Sequence, residues 1–161
     1  MKKNAVLTLL NNVLFCPSSP FYFELYQEGL ISPDFGWWFE HNRQFSFSSL
    51  SGETPNPDAV FERFKEYVEQ VKKEGINEAD LDRNRRVLYA NTVKTFDSTE
   101  AIANTFLMNF IFEDSDMLDY PDVIASVTKK DLQDLLESMF IPSHYTLTTV
   151  LPMEEKEETN G

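Results

Sequence analysis

Four helix-start signals spread along the chain constrain its fold more than any other feature. Ser19-Pro20, Asn56-Pro57, Asn77 with Asp80 three residues on, and Thr128-x-x-Asp131 each place a capping side chain ahead of an apolar-periodic run. The last is a capping box, with Val127 and Leu132 as its hydrophobic staple; Ile76 and Leu81 can form a similar staple around Asn77. Stop signals answer them: Gly29, Gly75 and Pro142 each end a periodic run. A chain punctuated in this way is largely helical, and only the intervals without helical period are left for strands.

The helical stripes follow from the spacing. From Asn4 to Phe15, Val6, Leu9, Leu10, Val13 and Leu14 recur at helical period, so the chain starts inside a helix, which predicts a domain truncated at its N-terminus. Ser19 to Gly29 encloses Phe21, Tyr22, Phe23, Leu25 and Tyr26, aromatic almost all round. Val60, Phe61, Phe64, Tyr67, Val68 and Val71 make the stripe of the next helix; Leu81, Leu88, Tyr89, Thr92, Val93 and Phe96 that of its successor. Asp97 or Ser98 caps a helix carrying Ile102, Phe106, Phe110 and Ile111. A short turn or helix at "PDVIAS" leads to a last helix whose Leu132, Leu135, Leu136, Met139 and Phe140 face the core.

Strands occupy what remains. "FGWWFE" and "RQFSFSSLS", joined by "HN", read as an antiparallel hairpin: Phe35, Trp37 and Phe39 lie on one face and Trp38 on the other. "HYTLTTVLP" alternates as a third strand. The expected fold is therefore α+β in two layers, helices packed on one face of a small, mainly antiparallel sheet. Residues 1–152 form one domain, and the acidic tail 153–161 is expected to be disordered.

Composition narrows the partners. With 161 residues and a net charge of −13, the surface disfavours nucleic acid and anionic membrane. No apolar run reaches the about 18 residues of a membrane span, and no signal-peptide pattern opens the chain; a cytoplasmic location is expected. The single cysteine, Cys16, excludes an internal disulfide and, beside Leu14 and Phe15, reads as a buried inert thiol.

The search for chemistry returns little. The two histidines, His41 in the hairpin turn and His144 before the last strand, have no partner at metal-ligand spacing. Ser18-Ser19 lacks a nucleophile elbow, and capping explains it. Glu113, Asp114 and Asp116 fall in an interhelical loop and read as solvated surface, and Arg83, Arg85 and Arg86 as helix-face ion pairs. No catalytic residue and no metal ligand is assigned.

The order of motifs is itself informative. "LLNNVLFCPSSPFYFELYQEGLIS", an aromatic hairpin, "SGETPNPDAVFERFKEYVEQVKKEGINEADL" and "VTKKDLQDLLESMFIPSHYTLTTVLP" resemble the C-terminal part of pitrilysin/insulinase-family zinc metallopeptidases. The bacterial predicted-protease branch, the EF-P modification-associated type, is the nearest in pattern. The likeness covers nearly the whole chain, and its most specific phrase is Ser-Ser-Pro-x-aromatic-x-x-Leu-x-x-Glu-Gly-Leu-Ile.

The resemblance implies two homologous α+β halves closing as a clamshell around a peptide chamber. Zinc would sit on a His-x-x-Glu-His motif in the upstream half and none in this one. In active members this half supplies an arginine and a tyrosine that hold substrate; they would fall at Tyr26 and Ser32, where neither type is kept. No His-x-x-Glu-His occurs here, so the chain alone is not expected to hydrolyse peptides. The implied role is a non-catalytic, chamber-forming and substrate-contacting domain, with Tyr26, Ser32, Trp37 and Trp38 as contact candidates. Trp37 also reads as core, and Trp38 remains open between packing and contact. The implied partners are the upstream homologous domain, a peptide or protein substrate, and a second copy through an exposed sheet edge. The alternative is an interaction or scaffold domain that kept the fold without a proteolytic role.

Overall fold

The computed structural model describes residues 1–41, 44–112 and 117–151. The hairpin turn at 42–43, the acidic loop 113–116 and the tail 153–161 lie outside the described residues.

Helix α1, Lys2–Phe15, is the centre of the molecule. Ala5, Val6, Leu7, Leu9, Leu10, Val13, Leu14 and Phe15 are all buried, so this helix is covered nearly all round, as a helix so apolar must be. After Cys16 the chain turns into α2, Pro20–Gln27. The Ser19 hydroxyl accepts from the Tyr22 amide at 3.2 Å, and Pro20 occupies the first turn, where its missing N–H costs nothing. Gly29 then adopts φ +69°, and two bonds close a Schellman motif: the Gly29 amide donates to the Tyr26 carbonyl at 3.1 Å and the Leu30 amide to the Leu25 carbonyl at 2.9 Å.

Strands β1, Gly36–His41, and β2, Ser46–Ser51, pair antiparallel with Trp37 opposite Leu50, Trp38 opposite Ser49 and Glu40 opposite Phe47. Trp37 and Leu50 pack against the core, whereas Trp38 faces out, so the helices cover one face of the ribbon as the two-layer reading requires.

Helix α3, Pro57–Glu74, is capped by Asn56, which accepts from the Ala59 amide at 3.1 Å, and stopped by Gly75 at φ +81°. Helix α4, Glu78–Thr95, starts at Asn77; α5, Thr99–Phe112, starts at Ser98, whose hydroxyl accepts from the Ala101 amide. A 3-10 turn at Met117–Asp119, α6 at Tyr120–Ser126 and α7 at Lys129–Met139 follow. The Thr128 capping box is complete. Lys2 ties the start of α1 to Asp131 at 3.0 Å, and Lys72 of α3 donates to the Phe140 carbonyl at 2.5 Å, closing the C-terminus of α7.

Four expectations fail. Residues 145–151 form no strand: Tyr145 is extended and its ring packs edge-on against Phe64 at 5.1 Å, but a strand exists only through a ladder, and among the described residues β1 and β2 pair solely with each other. The stripe of α4 is split: Leu81 is buried and Leu88 packs on the core, while Tyr89, Val93 and Phe96 are exposed, as are Phe106 and Ile111 of α5. His41 is the last residue of β1 and not part of the turn. Cys16 is half-buried, with its sulfur 3.2 Å from the Ser18 hydroxyl, because α1 ends at Phe15 and the chain leaves the core there.

Candidate functional site

The four residues singled out from the sequence sit around the junction of α2 and the hairpin. Ser32-Pro33-Asp34-Phe35 is a tight turn, closed by the Phe35 amide on the Ser32 carbonyl at 3.0 Å with Pro33 in the position it favours. The turn delivers Phe35 into the core, where its ring lies 6.5 Å from Phe21 and 6.4 Å from Tyr22. The Tyr22 hydroxyl donates to the Pro33 carbonyl at 3.4 Å, fixing α2 against the turn.

Tyr26, one turn on from Tyr22, stacks on it with ring centroids 6.1 Å apart and is about half exposed. Arg63 of α3 bonds Glu28 and Glu24 at 3.1 Å each. Those glutamates lie on the face of α2 opposite Tyr22 and Tyr26 by the 100° step of the helix, so Arg63 locks α2 to α3 and does not stand in for an arginine at position 26. The Ser32 hydroxyl donates to the Asp34 carboxylate and reaches the Glu53 carbonyl at 3.5 Å. It therefore stiffens the turn and the entry of the loop after β2.

Trp37 and Trp38 point to opposite faces and cannot line one site. Trp37 is half-buried and stacks on Phe39 at 6.2 Å. Trp38 is 48% exposed and begins an aromatic row that the sequence reading left unassembled. Phe47 packs nearly perpendicular to it with ring centroids 5.2 Å apart, and Phe45 stacks on Phe47 at 6.0 Å; Phe47 is 42% and Phe45 50% exposed. Alternation from Trp38 gives the face of β1; only the register, a non-local fact, brings Phe47 beside it.

Reactive chemistry is sparse. Among the described residues no three His, Cys, Asp or Glu side chains come together as a metal site. Burial pushes the Tyr67 phenol up to about 12, with the Asp80, Cys16 and Glu24 charges adding to it; burial and then Glu69 do the same for Tyr145. Asp131 is held down at about 2 by the Thr128 hydroxyl and amide, with Lys2 assisting. All three shifts belong to packing or capping. No helix among the described residues is long and apolar enough to cross a membrane.

Comparison with known proteins places this geometry. The family described as the peptidase M16 inactive domain matches residues 2–88, more than half of the chain. The uncharacterized zinc protease YmfH of Bacillus subtilis (strain 168) is 28% identical over 152 residues, covering 94% of this chain and 35% of YmfH. The chain thus spans about a third of that relative. An M16-like peptidase from Alicyclobacillus acidocaldarius superposes with a TM-score of 0.80 at 23% identity, over 84% of this chain and 33% of the other. The inactive peptidase domain of a zinc-protease-class protein from Bordetella parapertussis gives 0.74 at 16% identity, over 96% and 87%.

Proposed function

Because the chain belongs to the M16 peptidase family, as one of its inactive domains, we propose that it is the non-catalytic wall of a peptide chamber in a zinc-protease-like protein. In this reading an upstream homologous domain of the same cytoplasmic protein carries any zinc, and this chain contacts an extended peptide or protein substrate. The observation that carries it is the outward aromatic row Trp38, Phe47 and Phe45, set on a ribbon of two strands that pair only with each other among the described residues. The edge of such a ribbon can take a third strand, main chain to main chain, while the row meets its alternate side chains. Tyr26 and Ser32 support the same reading, since Tyr26 cannot supply the fixed cation expected at its position in an active relative and Ser32 is too short to supply the phenol expected at its own, leaving contact without catalysis.

The test uses the parent protein. Binding of a fluorescein-labelled extended peptide, followed by anisotropy, is expected to weaken about tenfold when Trp38→Ala and Phe47→Ala are combined, since each exposed ring is worth about 0.5–1.5 kcal/mol in such a contact. Unchanged binding in the folded variant sinks the proposal. A second reading, an assembly scaffold, is favoured by one specific feature: α5 exposes Phe106, Leu107, Met108 and Ile111. Self-association through the ribbon edge would be one form of it. Charged substitutions on α5 that break assembly while leaving peptide binding intact would separate the two.

A further inference from the structure

The outward face of the hairpin carries a carboxylate as well as rings. Glu40 follows Trp38 by two residues on β1, which places both on the same face about 6.8 Å apart. The register sets Glu40 directly opposite Phe47, and Phe47 meets the Trp38 indole edge-to-face at 5.2 Å. Indole, phenyl ring and carboxylate therefore surround one patch of surface. Ser49, opposite Trp38, is too small to cover the indole.

Glu40 is exposed and forms no hydrogen bond or ion pair among the described residues. Several carboxylates elsewhere are engaged, Glu24 and Glu28 with Arg63, Glu69 with Lys72, Asp80 with Arg83 and Asp131 with Lys2. A carboxylate in that state beside a half-exposed indole offers a cation both a charge partner and a π surface. Of the cations a peptide can present, the planar guanidinium fits best, because it stacks flat on the ring while its edge donates to the carboxylate. The net charge of −13 draws a basic ligand and repels a second copy of this chain.

We propose that Trp38, Glu40 and Phe47 form a guanidinium-binding site that reads an arginine side chain of an extended peptide. The inference rests on the chamber-wall reading and adds residue specificity to it. A peptide strand laid along the ribbon presents every second side chain to this face, so one arginine is read and its immediate neighbours point away.

The experiment uses the whole 161-residue chain and two capped pentapeptides, Thr-Val-Arg-Val-Thr and Thr-Val-Gln-Val-Thr, titrated by calorimetry and tryptophan emission. The arginine peptide is expected to bind at least about tenfold more tightly, the combined weight of a cation–π contact and a charge-assisted hydrogen bond. Glu40→Gln, which keeps shape and removes charge, is expected to erase most of that preference with an unchanged circular dichroism spectrum. Trp38→Ala is expected to weaken both peptides. Equal affinity for the two peptides, or a preference that survives Glu40→Gln, overturns the guanidinium site while leaving peptide contact standing. Absence of saturable binding by either peptide overturns both.

Discussion

Gly52 immediately follows β2, and its substitution by alanine tests how tightly the hairpin is seated. A β-carbon there would stand 2.7 Å from the Phe35 α-carbon, 2.8 Å from its Cδ2 and 2.9 Å from its Cβ. Nonbonded carbons rest at about 3.5–4.0 Å, so the overlap is close to 1 Å, and one of the atoms met is backbone. Rotating Phe35 aside offers little relief, because its ring is buried against Phe21 and Tyr22. The loop after β2 must move away from the turn that starts β1, at the usual overpacking cost of about 1–3 kcal/mol. For a chain of this size that lowers Tm by about 4–8 °C at the middle of the range. Urea unfolding followed by circular dichroism measures the loss, and tryptophan emission reports whether Trp37 loses its cover.

Gly29 supplies the control. It stands at φ +69°, and a β-carbon added there would meet nothing within 4 Å, so Gly29→Ala carries only the left-handed backbone cost of about 1–2 kcal/mol. Asparagine tolerates that conformation and recovers part of the loss at position 29, while at position 52 it is at least as damaging as alanine. A Gly52→Ala chain within about 0.5 kcal/mol of the unsubstituted one, or rescue by asparagine at position 52 and not at position 29, would refute tight seating of the hairpin.

Three further variants probe the cap of α7 and the phenol of Tyr145. Thr128→Ala removes the N-cap of α7 and is expected to cost about 1 kcal/mol in denaturant unfolding. The same cap holds Asp131 near 2 against an ordinary 3.8, so its contribution is complete above pH 4 and is lost as pH falls towards 2; Asp131→Asn should flatten that limb of the stability–pH curve. Tyr145, pushed up to about 12, keeps its proton in the native state while the unfolded phenol ionises near 10, so stability falls from pH 10 to 12. Tyr145→Phe should remove part of that fall. At pH 7 it should be neutral or slightly stabilising, because the buried hydroxyl has no hydrogen-bond partner among the described residues.

What the sequence discloses here depends on the range of the interaction concerned. Ser19, Asn56, Asn77 and Thr128 all cap as read, and Gly29 and Gly75 take positive φ, because a cap is decided within four residues. The helical stripe of α4 shows the limit. Periodicity marks Leu81, Leu88, Tyr89, Val93 and Phe96 alike as wanting cover, and only packing distinguishes Leu81 and Leu88 from the rest. The alternation at 145–151 fails for the same reason, since a strand needs a neighbour that no local pattern names. Arg85 looks like one of three surface arginines, yet it is partly buried and donates to the Val127 carbonyl at 2.7 Å, linking α4 to the end of α6 across 42 positions. The candidate site divides along this line too. Alternation alone turns Trp38 outward, but Glu40 gains meaning only when the register sets it opposite Phe47, so the charge at the centre of the proposed peptide site is invisible until the two strands are paired.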